Sequence, residues 1–281
     1  RRSAAASPGP RRLSGGSAGS GSISEWCLTP FFRPAMRNDG SFHAAYRELE
    51  ERMKALAEAD GDLFLPNPEP EGPVQYVLIC MEPSLGRWAR SADEARSKVE
   101  AGFRNFIFSI EDFILHFCAR HYLCKPAERY HITDLSKGAM LVDRAGSSRD
   151  DRYDRWYSLL QEEIDLVATP DAGIVTVGKV VSNYLERKPF GRSFTGVIHY
   201  SGQAGRARNE GIVGREDSFQ AFRNSVSLED LIATAVDVFR STRVPDGIRD
   251  ETLSRLRRSQ LTTSCKQLIF NYKVAFESMR S

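Results

Sequence analysis

Apolar and polar positions follow two periods along this chain. Val74-Gln-Tyr-Val-Leu-Ile-Cys-Met81 is a near-continuous apolar run, preceded by Pro73 and closed by Glu82-Pro83-Ser84-Leu85-Gly86. Such a run between turn residues predicts a strand buried on both faces that empties into a tight loop. Tyr130-His-Ile-Thr-Asp134, Gly173-Ile-Val-Thr-Val177 and Gly196-Val-Ile-His199 predict three more strands. Elsewhere the spacing is helical. Phe42, Ala45, Tyr46, Leu49, Met53 and Leu56 predict a helix over 41–59; Phe113, Ile114, Phe117 and Cys118 mark one side of a helix from Ile110 to about His121. Residues 151–167, 180–185, 228–242 and 251–279 carry the same pattern, and the charged stretch Arg87–Glu100 reads as a short helix or lid. Strands alternating with helices predict an α/β fold: three layers, α/β/α, around a central, mainly parallel four-stranded sheet. No internal repeat is visible.

Composition adds boundaries. Residues 1–22 are Arg, Ser, Ala, Gly and Pro with almost nothing apolar, a composition that cannot offset the entropy of ordering, so a disordered tail is expected there. The main α/β domain is placed at 23–227, with a C-terminal helical extension, 228–281, packed on the same domain. With 281 residues, 41% of them hydrophobic, the chain can bury one sizeable core or two small ones. No window approaches the roughly 18 apolar residues of a membrane span, and the N-terminal segment has no apolar stretch of the signal-peptide kind, so a cytoplasmic protein without a membrane partner is expected. Cys27, Cys80, Cys118, Cys124 and Cys265 form no C-x-x-C pair and read as reduced core thiols, with no structural metal expected. The net charge of +2 excludes a global polycation, so any nucleic-acid surface must be local.

The candidate chemistry sits at strand ends. Glu82, Asp134 and His199 each end or follow a predicted parallel strand, and in a parallel sheet those ends share one edge, where open α/β sheets bind ligands. Each has a plainer reading alone: Glu82 as a turn or helix-cap carboxylate, Asp134 as an N-cap before Leu135-Ser136, His199 as a satisfied structural histidine. Their joint placement, with the Gly-rich basic loop Ser201-Gly202-Gln203-Ala-Gly-Arg206-Ala-Arg208 and nearby phenylalanines, favours a site.

Glu82-Pro83-Ser84, Thr133-Asp134-Leu135-Ser136-Lys137, Ile174-Val-Thr-Val-Gly178-Lys179 and His199-Tyr200-Ser201-Gly202, in that order, resemble the ordered motifs of the uracil-DNA glycosylase superfamily. The resemblance covers roughly Val74 to Asn209 and rests on short motifs in order. It implies a monofunctional DNA glycosylase that flips a base out of double-stranded DNA and hydrolyses its N-glycosidic bond, acting as a monomer without metal or other cofactor. By position, Glu82 would stabilise the sugar cation and orient water, and His199 would hydrogen-bond the departing base. Phe103 or Phe106 would stack on that base. Ser84, Ser201, Gly202, Lys137, Arg206 and Arg208 would lie at the base or the phosphates, with Gln203 as the wedge.

Departures from the pattern point to the substrate. Asp134 stands where uracil readers carry Asn. A carboxyl group can accept from the C4 amino group of cytosine and, when burial keeps it protonated, donate to N3. Ser84 replaces a bulky Tyr that blocks C5 substituents in the uracil-selective branch. Excision of ordinary cytosine would damage the host's own DNA, so a C5-modified cytosine is expected, such as the hydroxymethyl- or glucosyl-hydroxymethylcytosine of phage DNA, with a role in antiviral defence. The stretch between Glu82 and Phe103 would make room for a large substituent. The alternatives are a uracil or mismatch glycosylase of base-excision repair, or a catalytically inactive DNA-binding member of the fold. His199-Tyr200-Ser201 also lacks the family's proline.

Overall fold

A computed structural model describes residues 39–85, 88–140, 149–242 and 244–280, without the side chains of Asp39 and Gln203. The expected tail over 1–22, Cys27, Gly86, Arg87 and the wedge side chain of Gln203 lie outside the described residues.

The chain opens with α1 (Asp39–Asp60) and a two-residue β1 (Leu63–Phe64), then enters β2 (Val74–Cys80). After α2 (Ala92–Glu100) comes α3 (Ile110–Cys118), started by a capping box in which Ser109 and Asp112 bond each other's backbone N–H. Next come β3 (Tyr130–Asp134), β4 (Gly138–Ala139), α4 (Arg149–Val167), β5 (Ala168–Val177), α5 (Lys179–Glu186) and β6 (Phe194–Val197). A 3-10 turn (Gly202–Ala204) leads into α6 (Gly205–Glu210), α7 (Glu216–Phe222), α8 (Leu228–Thr242), α9 (Asp246–Arg257) and α10 (Thr263–Arg280).

Four strands form a fully parallel sheet in the order β3-β2-β5-β6, while β1 and β4 make a small antiparallel pair. Both faces are covered, as the unbroken apolar runs require. Leu78, Cys80, Ile132, Val175, Val177 and Val197 pack with α3 and α10, and Val77, Ile79 and Ile174 pack with Tyr46 of α1, Leu160 of α4 and Leu185 of α5. The strand period of two therefore assigns each strand-end side chain to a face. Asp134 shares the parity of Ile132 and belongs to the α3/α10 side, whereas His131 and Thr133 face α4.

Three expectations change. The helix expected over 251–279 is two helices, because Thr262 starts a new one by accepting from Cys265 N at 3.2 Å. The loop expected over 199–209 is helical from Gly205 on. β5 begins five residues before Gly173, and Pro170 is tolerated there because the register shifts between the Val74–Ala168 and Tyr76–Gly173 pairs, where no ladder N–H is needed. Cys80, Cys118, Cys124 and Cys265 are free and buried. Among the described residues no helix is long and apolar enough to cross a membrane.

Candidate active site at the carboxyl edge of the sheet

The chain runs from β2 outward to β3, then back past β2 to β5 and β6, so its direction reverses between β2 and β5. The crevice beyond their carboxyl ends is the place where such sheets hold ligands. Around it stand Glu82, two residues past β2; Asp134, opposite Cys80 at the end of β3; Gly178, next after β5; and His199, two residues past β6. Gly178 has φ +99°, and a Cβ there would sit 3.1 Å from the His199 ring, so only glycine lets the imidazole lie against the β5 end.

Asp134 is 3% exposed. Its Oδ2 accepts from Asn105 Nδ2 at 2.8 Å. Asn67, fully buried, adds a second donor. Lys137 Nζ can only donate, so the Asn67 amide oxygen faces it at 3.2 Å, and Nδ2 then reaches Asp134 Oδ2 at 3.3 Å. Oδ1 has no hydrogen-bond partner among the described residues. Burial raises the Asp134 pKa well above the carboxylate range; Glu163 and Glu82 add to the rise, against the opposing pull of Lys137 and Asn105. Burial thus favours the neutral form of Asp134, and with Oδ2 accepting from two amides the place for a proton is Oδ1. The N-cap alternative fails, since no helix follows: Leu135 N bonds Cys80 O and the chain passes into β4.

His199 is neutral too, with its pKa lowered to about 4 by burial and by the charge of Arg208. Ser201 N–H donates to its Nδ1 at 3.0 Å, which leaves the proton on Nε2. The ring stacks on Tyr200, 4.7 Å between centroids. Glu82, by contrast, is held by opposite charge. Its side chain is 4% exposed, Arg149 of α4 meets Oε1 at 2.8 Å, and the Tyr153 hydroxyl donates to Oε2.

Below the crevice, on the α4 face, lies a buried ionic cluster. Glu163 accepts from Lys137 Nζ at 2.7 Å, from Thr133 Oγ1 at 2.7 Å and from His131 Nε2 at 3.0 Å. Burial alone would raise the Glu163 pKa, but Lys137 and His131 together bring it down to about 2.

Several expected site residues do different work. Lys137, 1% exposed and spent on Glu163 and Thr133, cannot reach a phosphate. Arg208, 4% exposed, is turned inward onto backbone carbonyls and Ser264. Phe103 is not a free platform, because the Trp88 indole stacks on its ring at 4.6 Å within a satellite core that includes Leu85 and Ala95. The stretch after Glu82 serves that core: α2 buries Ala95 and does not stand away as a lid. Phe106 is 1% exposed within the main core, 6.5 Å from the Tyr200 ring, and offers no free face to a base. Its φ of +58° is rare for a bulky residue and is held by His116 Nε2 on its carbonyl at 3.0 Å. Ser84 is exposed, bridged to Met140. Ser201 and Gly202 follow His199-Tyr200, Gly202 with open space beside its Cα, and Arg206 is exposed and, among the described residues, paired only to Glu210 within its own helix.

Sequence reasoning missed Asn67, Asn105, Arg149 and Tyr153. Asn67 lies in Pro66-Asn67-Pro68, which reads as a linker, Arg149 precedes the helix expected over 151–167, and Tyr153 lies in its first turn with nothing to single it out. Asn105, polar between Phe103 and Phe106, is the one visible signal. Two open cavities are present among the described residues. One, of about 640 Å³, is lined by His43, Glu50, Asn67, Glu69 and Arg104, the other, of about 730 Å³, by His116, Arg120, His121 and Arg129. Neither contains Glu82, Asp134 or His199, and the chemistry of the groups, not cavity size, singles out the edge. No family model, curated protein or solved structure matches this chain.

Proposed function

We propose that this protein is a DNA glycosylase that hydrolyses the N-glycosidic bond of a flipped, C5-modified cytosine in double-stranded DNA, leaving an abasic site, with phage DNA as its target. The observation that carries this reading is the trio at one sheet edge: a buried carboxyl group whose neutral form is favoured, a neutral imidazole with its proton on the outer nitrogen, and a carboxylate held by an arginine. Each matches a need of the reaction. The Asp134 Oδ1–H donates to cytosine N3, where uracil presents an N–H and repels it. Asn105 and Asn67 already occupy Oδ2, so the C4 amino group has to compete for that oxygen. The His199 Nε2–H faces the carbonyl oxygen on which charge collects as the base departs. The Glu82 charge offsets the cationic sugar and orients water once Arg149 or Tyr153 yields an oxygen. The exposed Arg206 and Gly202, with the half-buried Ser201, are left to meet the backbone.

The test is base release, by mass spectrometry, from duplexes containing uracil, cytosine, hydroxymethylcytosine or its glucosylated form. Release of a modified cytosine is expected, lost with Asp134→Asn and slowed about 10²–10⁴-fold by Glu82→Gln. Release from uracil alone would make the protein a repair glycosylase. A second reading has one observation in its favour: both Glu82 oxygens are engaged by α4, as in a purely structural ion pair. DNA binding without release from any duplex, unchanged by Glu82→Gln, would establish that inactive, DNA-binding form.

A further inference from the structure

The loop that carries His199 is fastened to α10. Arg208 donates through Nη2 to the carbonyls of Tyr200 and Ser201, the latter at 2.8 Å, and through Nη1 to Ser264 Oγ at 2.9 Å. Its own carbonyl accepts from Asn271 Nδ2 at 3.1 Å, and the Tyr272 hydroxyl donates to Ile198 O at 2.9 Å. Ser264, Asn271 and Tyr272 all belong to α10.

The Tyr200 carbonyl and the Ser201 N–H are two edges of one trans peptide plane and point in opposite directions. Drawing that carbonyl onto Arg208 aims that N–H the other way, and it lands on His199 Nδ1. The guanidinium has no carboxylate partner among the described residues, and its buried Nε is unpaired. A buried, unneutralised arginine is costly, and a purely structural brace would do as well with a neutral side chain. Its charge acts where it stands: next to an imidazole, it opposes protonation.

We propose that Arg208 is a positioning residue, which through the Tyr200–Ser201 peptide fixes His199 as the tautomer with Nδ1 accepting and Nε2 protonated, so that α10 is part of the site. That this Nε2–H serves a departing base rests on the glycosylase reading; the fixing of the tautomer does not.

The experiment is nitrogen NMR of the full chain labelled at histidine, with His199 assigned through His199→Gln. Wild type should show one neutral tautomer at His199, titrating near 4. In Arg208→Met both tautomers should appear and the midpoint should rise by about one pH unit or more. Arg208→Lys keeps the charge but loses the fork that spans two carbonyls and a hydroxyl, so the midpoint should stay low while the tautomers mix. Should Arg208→Met fail to fold, Arg208→Lys and Ser264→Ala decide by the tautomer alone. A single Nε2–H tautomer in every folded variant overturns the proposal. With the same variants the glycosylase reading expects kcat to fall with KM little changed; if no duplex releases a base, that reading fails while the NMR result still stands for or against Arg208.

Discussion

At the scale of the residue, the buried carboxyl group of Asp134 ties stability to pH. Its carboxyl group has an ordinary pKa of about 3.9 in an unfolded chain, and burial lifts it well above that in the fold. Folding therefore favours the protonated form of Asp134. The contribution is full below the unfolded pKa and drains away as pH rises toward the folded one. Asp134→Asn keeps the shape and removes the titration. It should melt above the wild type at pH 8, with the gap closing toward pH 4, as read by thermal unfolding across that range. A gap that does not change with pH would mean that Asp134 is ionised in the fold. His199 brings no such dependence, because an imidazole held neutral at neutral pH differs little from one in water.

At the scale of the element, α4 is bound to β3 through one buried carboxylate. Glu163 has its pKa lowered to about 2, against about 4.3 unfolded, so its stabilisation is complete above the unfolded value and lost as pH falls through the folded one. Removing one member of a buried ion pair strands the other, here Lys137, and typically costs about 3–5 kcal/mol. Glu163→Gln should lose that much in urea unfolding at pH 7 and less as pH approaches 3; an equal loss at both would point to shape and not charge. This cluster also marks where sequence reading stops. The strand beginning at Val74 was legible because its apolar run leaves only one way to bury it, and Glu82, Asp134 and His199 were placed at one edge because parallel pairing puts their strands' ends there. What Lys137 and Arg208 face was not legible. A cation after a strand reads the same whether it turns to solvent or to a buried carboxylate 26 residues on, and only the packing of α4 and α10 decides. The break near Thr262 was missed for a similar reason: a hydroxyl inside a helical pattern reads as an exposed position until it caps.

At the scale of the whole molecule, the described residues form one compact unit closed by α10. Leu268, Ile269, Tyr272 and Phe276 are fully buried and share a core with Leu78, Cys80 and Val175. A chain ending at Ser259 strips α10 from that face of the sheet. It should lose its cooperative thermal transition and take up a hydrophobic dye, as compact states without fixed packing do; a sharp transition like that of the full chain would show that α3 alone suffices. The same dependence bears on how the protein is made. The sheet is complete in the nascent chain at Val197, yet the helix that seals it ends 83 residues later, at Arg280. At about 5–20 residues per second, an apolar strand surface stays open at the ribosome for on the order of 4–17 s. That interval is long enough for a chaperone to bind, and the yield of folded protein in the cell should depend on one being there.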